Sequence, residues 1–211
     1  MINNLIWDLD GTLFDTYPSI SAAFEEAVQR LGGSVPRNRI MPLARISFDH
    51  CVEQLSAQTG LDKQAIFEEF SSLYANIPPE VSPPFPSTRG LCTWAVVTGG
   101  KNVIVTHRQR ITTEALLDAH KFRELFTGWI TYDDGLARKP DPQTFLTAFE
   151  RFDVDPSVSL AIGDRDIDLE AAESAGVAYT CAYGPGPFNL DADFVVQDFD
   201  DLLLLLKNQE K

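Results

Sequence analysis

The chain has 211 residues, enough for one sizeable core or for a core domain carrying a smaller insert. Its 31 acidic residues against 17 basic ones give a net charge of −14, and no basic patch reverses it, so nucleic-acid backbones and anionic membrane surfaces are excluded as expected partners. The three cysteines are far apart with no disulfide or metal-ligand spacing, the opening "MINNLIWDLD" has no Lys or Arg ahead of its short apolar run, and the longest aliphatic stretch is Leu202 to Leu206; these features together read as a cytoplasmic chain with no targeting or membrane segment.

The first apolar run, Leu5-Ile6-Trp7, reads as a buried strand and leads straight into "DLDGTLFD", residues 8 to 15. Asp-Gly is also a common turn, so these acids alone do not distinguish a site from a solvated turn. From Ile20 the pattern is helical, with Phe24, Val28 and Leu31 at three- and four-residue spacing and Gly32-Gly33 as a stop. Phe48, Val52 and Leu55 predict a second helix closed near Gly60, and Ile66 to Ile77 a third, with Asp62 as N-cap. Residues 16–83 are therefore expected to form a small helical insert, ending in the proline-rich return "PPEVSPPFP", with residues 1–15 and 84–211 as the core domain.

After the prolines, helices and strands alternate. Helices are predicted around 87–98, 112–120, 142–152 and 168–176, and strands over 102–106, 128–132, 159–164, 177–183 and near 194–196. Alternation of this kind implies βαβ units, hence an α/β fold with a doubly wound, Rossmann-like parallel sheet interrupted after its first strand.

In such a sheet the functional crevice lies beyond the carboxyl ends of the strands. The first strand ends in Asp8 and Asp10, the second in Thr106, and the fourth in Asp164, with Asp168 four residues on; Lys139, in "RKPDP", opens the helix after the third. Several carboxylates in one crevice repel one another unless a cation neutralises them, and Mg²⁺, which prefers oxygen ligands and leaves positions for a phosphate oxygen, suits that need. A phosphoryl group placed there would meet Asp8 as in-line nucleophile, with Thr106 and Lys139 on its equatorial oxygens and the Gly11-Thr12 N–H groups able to face the anion.

Taken together, "DLDGT" (8–12), "VIVT" ending at Thr106, Lys139 in "KPDP" and "GDRDID" (163–168) resemble the four motifs of the haloacid dehalogenase (HAD) superfamily, in the phosphoglycolate phosphatase-like subgroup of small phosphatases with a helical cap inserted after the first motif. The resemblance spans nearly the whole chain. It implies Asp8 as nucleophile, Asp10 as general acid/base and backbone Mg²⁺ ligand, Thr106 and Lys139 as phosphate binders, and Asp164 with Asp168 as the acidic metal site, so that the metal set is Asp8, Asp10, Asp164 and Asp168. Phosphatases and phosphomutases of the superfamily carry an aspartate at the position of Asp10, which its dehalogenases and phosphonate hydrolases generally lack. A small phosphomonoester, phosphoglycolate among the candidates, is the implied substrate, and a monomer or homodimer the expected assembly. A sugar phosphomutase is the alternative enzyme. A receiver-type phospho-switch is the alternative from another class, set aside because receivers are shorter, uncapped and carry their aspartate after a central strand.

Arg45 lies in the insert and could clamp a second anionic group of the substrate, or equally lie outside. His107 and Arg108, directly after Thr106, could touch substrate or simply belong to a surface loop. Asp15 reads as a helix-capping acid, Asp166 as a solvated first-turn acid, and Asp133 and Asp134 as turn residues.

Overall fold

The computed structural model describes residues 1–208, which form two compact units: residues 1–14 with residues 84 onward, and residues 15–83. In the first unit six strands, β1 (Asn4–Trp7), β2 (Asn102–Val105), β3 (Gly128–Ile130), β4 (Ser159–Gly163), β5 (Tyr179–Tyr183) and β6 (Phe194–Val196), pair in parallel in the order β3-β2-β1-β4-β5-β6. β1 is first in the chain and central in the sheet, so position within the sheet does not separate this chain from a receiver; other features must. Because β2 and β3 extend to one side of β1 and β4 to β6 to the other, the strand order reverses at β1, the place where such sheets open a crevice.

Side chains alternate across the sheet. Leu5 and Trp7 face one way, onto α5 (Thr88–Val97), α6 (Arg110–Ala119) and α9 (Phe199–Asn208), in a core that includes Leu91, Leu116 and Leu202. Ile6 faces the other way with Val103 and Ala161, covered by α7 (Gln143–Phe152) and α8 (Asp166–Ser174) through Phe145, Ala148 and Ala171. Burial on both faces is why these strands read as continuous apolar runs.

The second unit packs α1 (Tyr17–Arg30), α2 (Arg37–Ile46), α3 (Phe48–Thr59) and α4 (Lys63–Tyr74) around Phe24, whose ring stacks on Phe70 at 3.6 Å. Asp62 caps α4, its Oδ1 accepting from the Ala65 N–H at 3.0 Å. Helix α2 differs from the sequence expectation, which passes from one helix to the next without it. "RNRIMPLARI" holds an internal proline and buries only Ile40 and Ala44, so it carries almost no apolar periodicity. Asp15 does not cap α1; Thr16 occupies the N-cap, and the Asp15 N–H donates to Pro83 O at 2.8 Å, tying the two ends of the unit together.

Asn102 shows how the first unit fixes its layers. It is fully buried at the start of β2. Its Nδ2 donates to Cys92 O (2.8 Å) and Leu125 O (2.9 Å), and its Oδ1 accepts from Trp7 Nε1 (3.2 Å). Asn102→Ala removes all three hydrogen bonds and leaves the buried Trp7 Nε1 without its acceptor, and is expected to cost about 2–4 kcal/mol. Thermal unfolding should register this as a drop of several degrees in Tm, and a variant melting with the parent would contradict it.

Candidate active site

Three segments meet at the carboxyl ends of the central strands. Trp7 pairs with Ile162, so the next residue on each strand, Asp8 after β1 and Gly163 at the end of β4, sit level with one another. The Asp8 N–H continues the ladder by donating to Ile162 O at 2.9 Å. Asp164 follows Gly163, and Asp168 comes back over it from the first turn of α8. That return requires glycine: a Cβ on Gly163 would lie 2.3 Å from Asp168 Cβ. One carboxylate oxygen each from Asp8, Asp164 and Asp168 lies within 4.8 Å of the others.

Into this cluster reaches Lys139, whose side chain is fully buried. Its Nζ donates to Asp8 Oδ1 at 2.6 Å and to Val105 O at 3.0 Å, and lies 2.5 Å from Asp168 Oδ1. Arg165, the N-cap of α8, adds a second cation, with Nε 3.8 Å from Asp164 Oδ1 and 3.7 Å from Asp168 Oδ2. Burial, then the Asp168 charge, push the Asp8 carboxyl up to about 6 against the pull of Lys139. Burial acts on Asp168 too, but there Lys139 and Arg165 outweigh it and hold the carboxyl below its usual range. Burial likewise opposes the Lys139 charge, and Asp168 with Asp8 outweighs it, leaving the ammonium above its ordinary value.

Three carboxylates against two cations leave the pocket short of positive charge, and Asp8 Oδ2 is buried with no hydrogen-bond partner among the described residues. An acid raised by burial and a neighbouring carboxylate, a buried oxygen without a partner and an all-oxygen donor set together fit a hard divalent cation.

Asp10 stands apart from the three-carboxylate cluster. Its Oδ1 accepts from Arg108 Nη1 at 2.8 Å, and its side chain retains 19% exposure. Gly11, at φ 83°, turns the chain after it. The Gly11 N–H donates to Phe14 O (2.9 Å) and the Thr12 N–H is directed at Leu9 O (3.4 Å), so both donors serve the turn. Thr106 is buried at the end of β2, where its Oγ1 accepts from the Arg108 N–H at 3.1 Å and keeps its own hydrogen to donate.

His107, weighed as a substrate contact, accepts the Lys139 backbone N–H at Nε2 (2.9 Å). It thereby joins the loop after β2 to the loop that carries the lysine. Arg45 sits on α2 in the helical unit, its guanidinium 5.0 Å from the Tyr17 ring centre. Two acids read as solvated or turn residues are structurally engaged. Asp166 accepts from Asn189 N (3.0 Å) and Nδ2 (2.5 Å), pinning the loop after β5. Asp134 accepts from Thr131 N (2.8 Å), Arg110 Nη2 (2.9 Å) and Arg151 Nη1 (2.5 Å), bracing the loop after β3. Among the described residues no helix is long and apolar enough to cross a membrane.

Residues 5–182 match the family model described as haloacid dehalogenase-like hydrolase, and the chain belongs to that family. It is 29% identical over 216 residues to a phosphoglycolate phosphatase of Pseudomonas putida, covering 96% of this chain and 78% of the relative. It is 26% identical over 224 residues to the pyrophosphatase PpaX of Bacillus cereus, covering 100% and 99%. A crystal structure from Haemophilus somnus, described as a predicted phosphoglycolate phosphatase, superposes with a TM-score of 0.84 at 21% identity over 97% of this chain and 98% of that one, which shows the shared fold.

Burial first, then Lys139 and Arg165, push the His107 imidazole down to about 3 from 6.5, so it stays neutral and able to accept. Below pH 6.5 the unfolded chain takes up a proton here that the folded chain refuses, so this histidine removes stability as the pH falls toward 3. His107→Asn should therefore lose less Tm between about pH 7 and pH 5 than the parent. An equal or larger loss in the variant would contradict the assignment.

Proposed function

We propose that this chain is a Mg²⁺-dependent phosphatase that hydrolyses a small phosphomonoester through an aspartyl-phosphate on Asp8. The observation that carries the reading is Lys139 Nζ, buried between Asp8 (2.6 Å) and Asp168 (2.5 Å) beside Asp164, at the carboxyl ends of the central strands. Asp8, Asp164 and Asp168, with the Asp10 backbone carbonyl, are the residues that would hold the ion. When bound, Mg²⁺ would offset the repulsion among the carboxylates, keep Asp8 ionised near neutral pH and polarise a phosphoryl oxygen.

The chain's own groups then divide the work. Asp8 attacks phosphorus as its bond to the ester oxygen breaks, while Lys139 and the Thr106 hydroxyl hold the non-bridging oxygens and offset their charge. Asp10 gives its proton to the departing oxygen. It next takes one from the water that attacks the aspartyl-phosphate, releasing inorganic phosphate and restoring the Asp8 carboxylate. Two carboxyls two positions apart thus serve different roles because their surroundings differ: Asp8 is buried against Lys139, Asp10 is partly exposed against Arg108.

The relatives named phosphoglycolate phosphatase and pyrophosphatase support a small substrate with a second anionic group, and phosphoglycolate is the leading candidate. A phosphate-release screen of such compounds, with Mg²⁺ and with EDTA, tests the reading; turnover of none, or turnover indifferent to EDTA, would overturn it. On any substrate found, Asp8→Asn should abolish turnover. Lys139→Ala should lower kcat/KM by about a hundredfold or more, with native circular dichroism. Near-parental turnover by either variant would contradict these roles.

A further inference from the structure

Arg108 and Asp10 pair between the loops that follow β2 and β1. Arg108 is separated from Asp10 by nearly half the chain, and its side chain is only 6% exposed. Its Nε donates to Thr112 Oγ1 at 3.1 Å, its backbone N–H to Thr106 Oγ1 at 3.1 Å, and its carbonyl accepts from the Tyr132 N–H at 3.0 Å. Backbone and guanidinium are thus fixed at separate points, and Nη1 is left aimed at Asp10 Oδ1 at 2.8 Å. A guanidinium is a rigid planar donor, so anchoring Nε also sets the direction of Nη1.

We propose that Arg108 is a positioning residue for Asp10: by holding Oδ1 it fixes the carboxyl plane and leaves Oδ2 as the oxygen that carries the proton to and from the reaction. The inference rests on Asp10 as the proton carrier. When Asp10 protonates a leaving alkoxide, the O–H on Oδ2 breaks and the proton passes to the ester oxygen; when water attacks, one proton returns to Oδ2. Throughout both transfers Oδ1 keeps its hydrogen bond from Arg108, so the carboxyl need not turn between the two half-reactions. A free carboxyl would have to find that orientation each time, and a small misplacement of a proton donor costs rate heavily. Arg108 is not assigned a contact with the phosphoryl group itself.

Arg108→Ala, Asp10→Asn and the double variant are compared on an alkyl phosphate, whose leaving oxygen needs a proton, and on p-nitrophenyl phosphate, whose leaving group does not. Asp10→Asn should fall far more on the alkyl ester. Arg108→Ala should follow the same pattern, losing about tenfold to a hundredfold in kcat on the alkyl ester with KM little changed and little loss on the nitrophenyl ester. In the Asp10→Asn background, adding Arg108→Ala should cost nothing further.

Thr112→Val removes the anchor of Nε, along with the hydroxyl's own bond to Gln109 O (3.1 Å), while leaving Arg108 and Asp10 in place; it should give a weaker form of the same pattern, which keeps the proposal testable if Arg108→Ala fails to fold. Arg108→Lys should recover part of the alkyl-ester rate. Losses that multiply in the double variant, or a rise in KM alike on both substrates, would mean that Arg108 binds the phosphoryl group, and the proposal falls while Asp10's role stands. If Asp10→Asn itself shows no dependence on the leaving group, the proton-carrier reading falls and this proposal with it.

Discussion

The Lys139 ammonium lies within hydrogen-bonding reach of Asp8 and Asp168, at 2.6 and 2.5 Å, and none of its surface is open to water. Removing one partner from a buried ion pair typically costs about 3–5 kcal/mol, because the remaining charge is left without compensation. In this cluster one cation serves two carboxylates, with a third at hand, so the balance is incomplete by construction. Asp8 is raised where Asp168 is lowered, although both are buried beside the same lysine. For Asp8, burial and then the Asp168 charge prevail over Lys139; for Asp168, burial is outweighed by Lys139 and then by Arg165, whose Nε lies 3.7 Å from Oδ2. An arrangement of this kind is poorly suited to cementing a fold and well suited to receiving a cation and an anion together.

That lysine is held from two directions. Its own loop is braced behind it by Asp134 and the two arginines it accepts from. Its backbone N–H is held in front by His107, whose neighbours Thr106 and Arg108 face, respectively, the end of β2 and Asp10. Two consecutive residues after β2, His107 and Arg108, therefore connect the segments carrying Lys139 and Asp10. The parallel sheet makes this economical: the register that sets Trp7 beside Ile162 also brings the loops after β1, β2 and β4 to the same edge.

Much of this is legible in the sequence for identifiable reasons. Strands buried on both faces appear as apolar runs, amphipathic helices as three- and four-residue spacing, and Asp8, Lys139, Asp164 and Asp168 each follow a predicted strand or open a helix where a crevice forms. Two helices are hidden because their sequences carry no usable period. In α2 a proline and polar residues interrupt the face marked by Ile40 and Ala44, and α9 is an unbroken leucine run in which Leu202 and Leu206 are buried while Leu204 and Leu205 are exposed. The pairings of Arg108 with Asp10 and of His107 with the Lys139 backbone join residues far apart in the chain. No local pattern encodes such contacts; only the closure of the sheet creates them. The engagement of Asp166 and Asp134 is hidden for the same reason, since a carboxylate in a turn looks alike whether it faces water or a distant asparagine or arginine.

The central claim is that the Asp8 carboxylate itself takes up the phosphoryl group. An acyl phosphate is reduced by borohydride to the alcohol, which converts the aspartate that bore it into homoserine. Quenching the enzyme during turnover of a phosphomonoester with tritiated borohydride, followed by sequencing of the labelled peptide, reads the site directly. The account predicts tritiated homoserine at position 8, dependent on substrate and Mg²⁺ and lost in Asp8→Asn. Label at another aspartate, or turnover with no label at position 8, would contradict it.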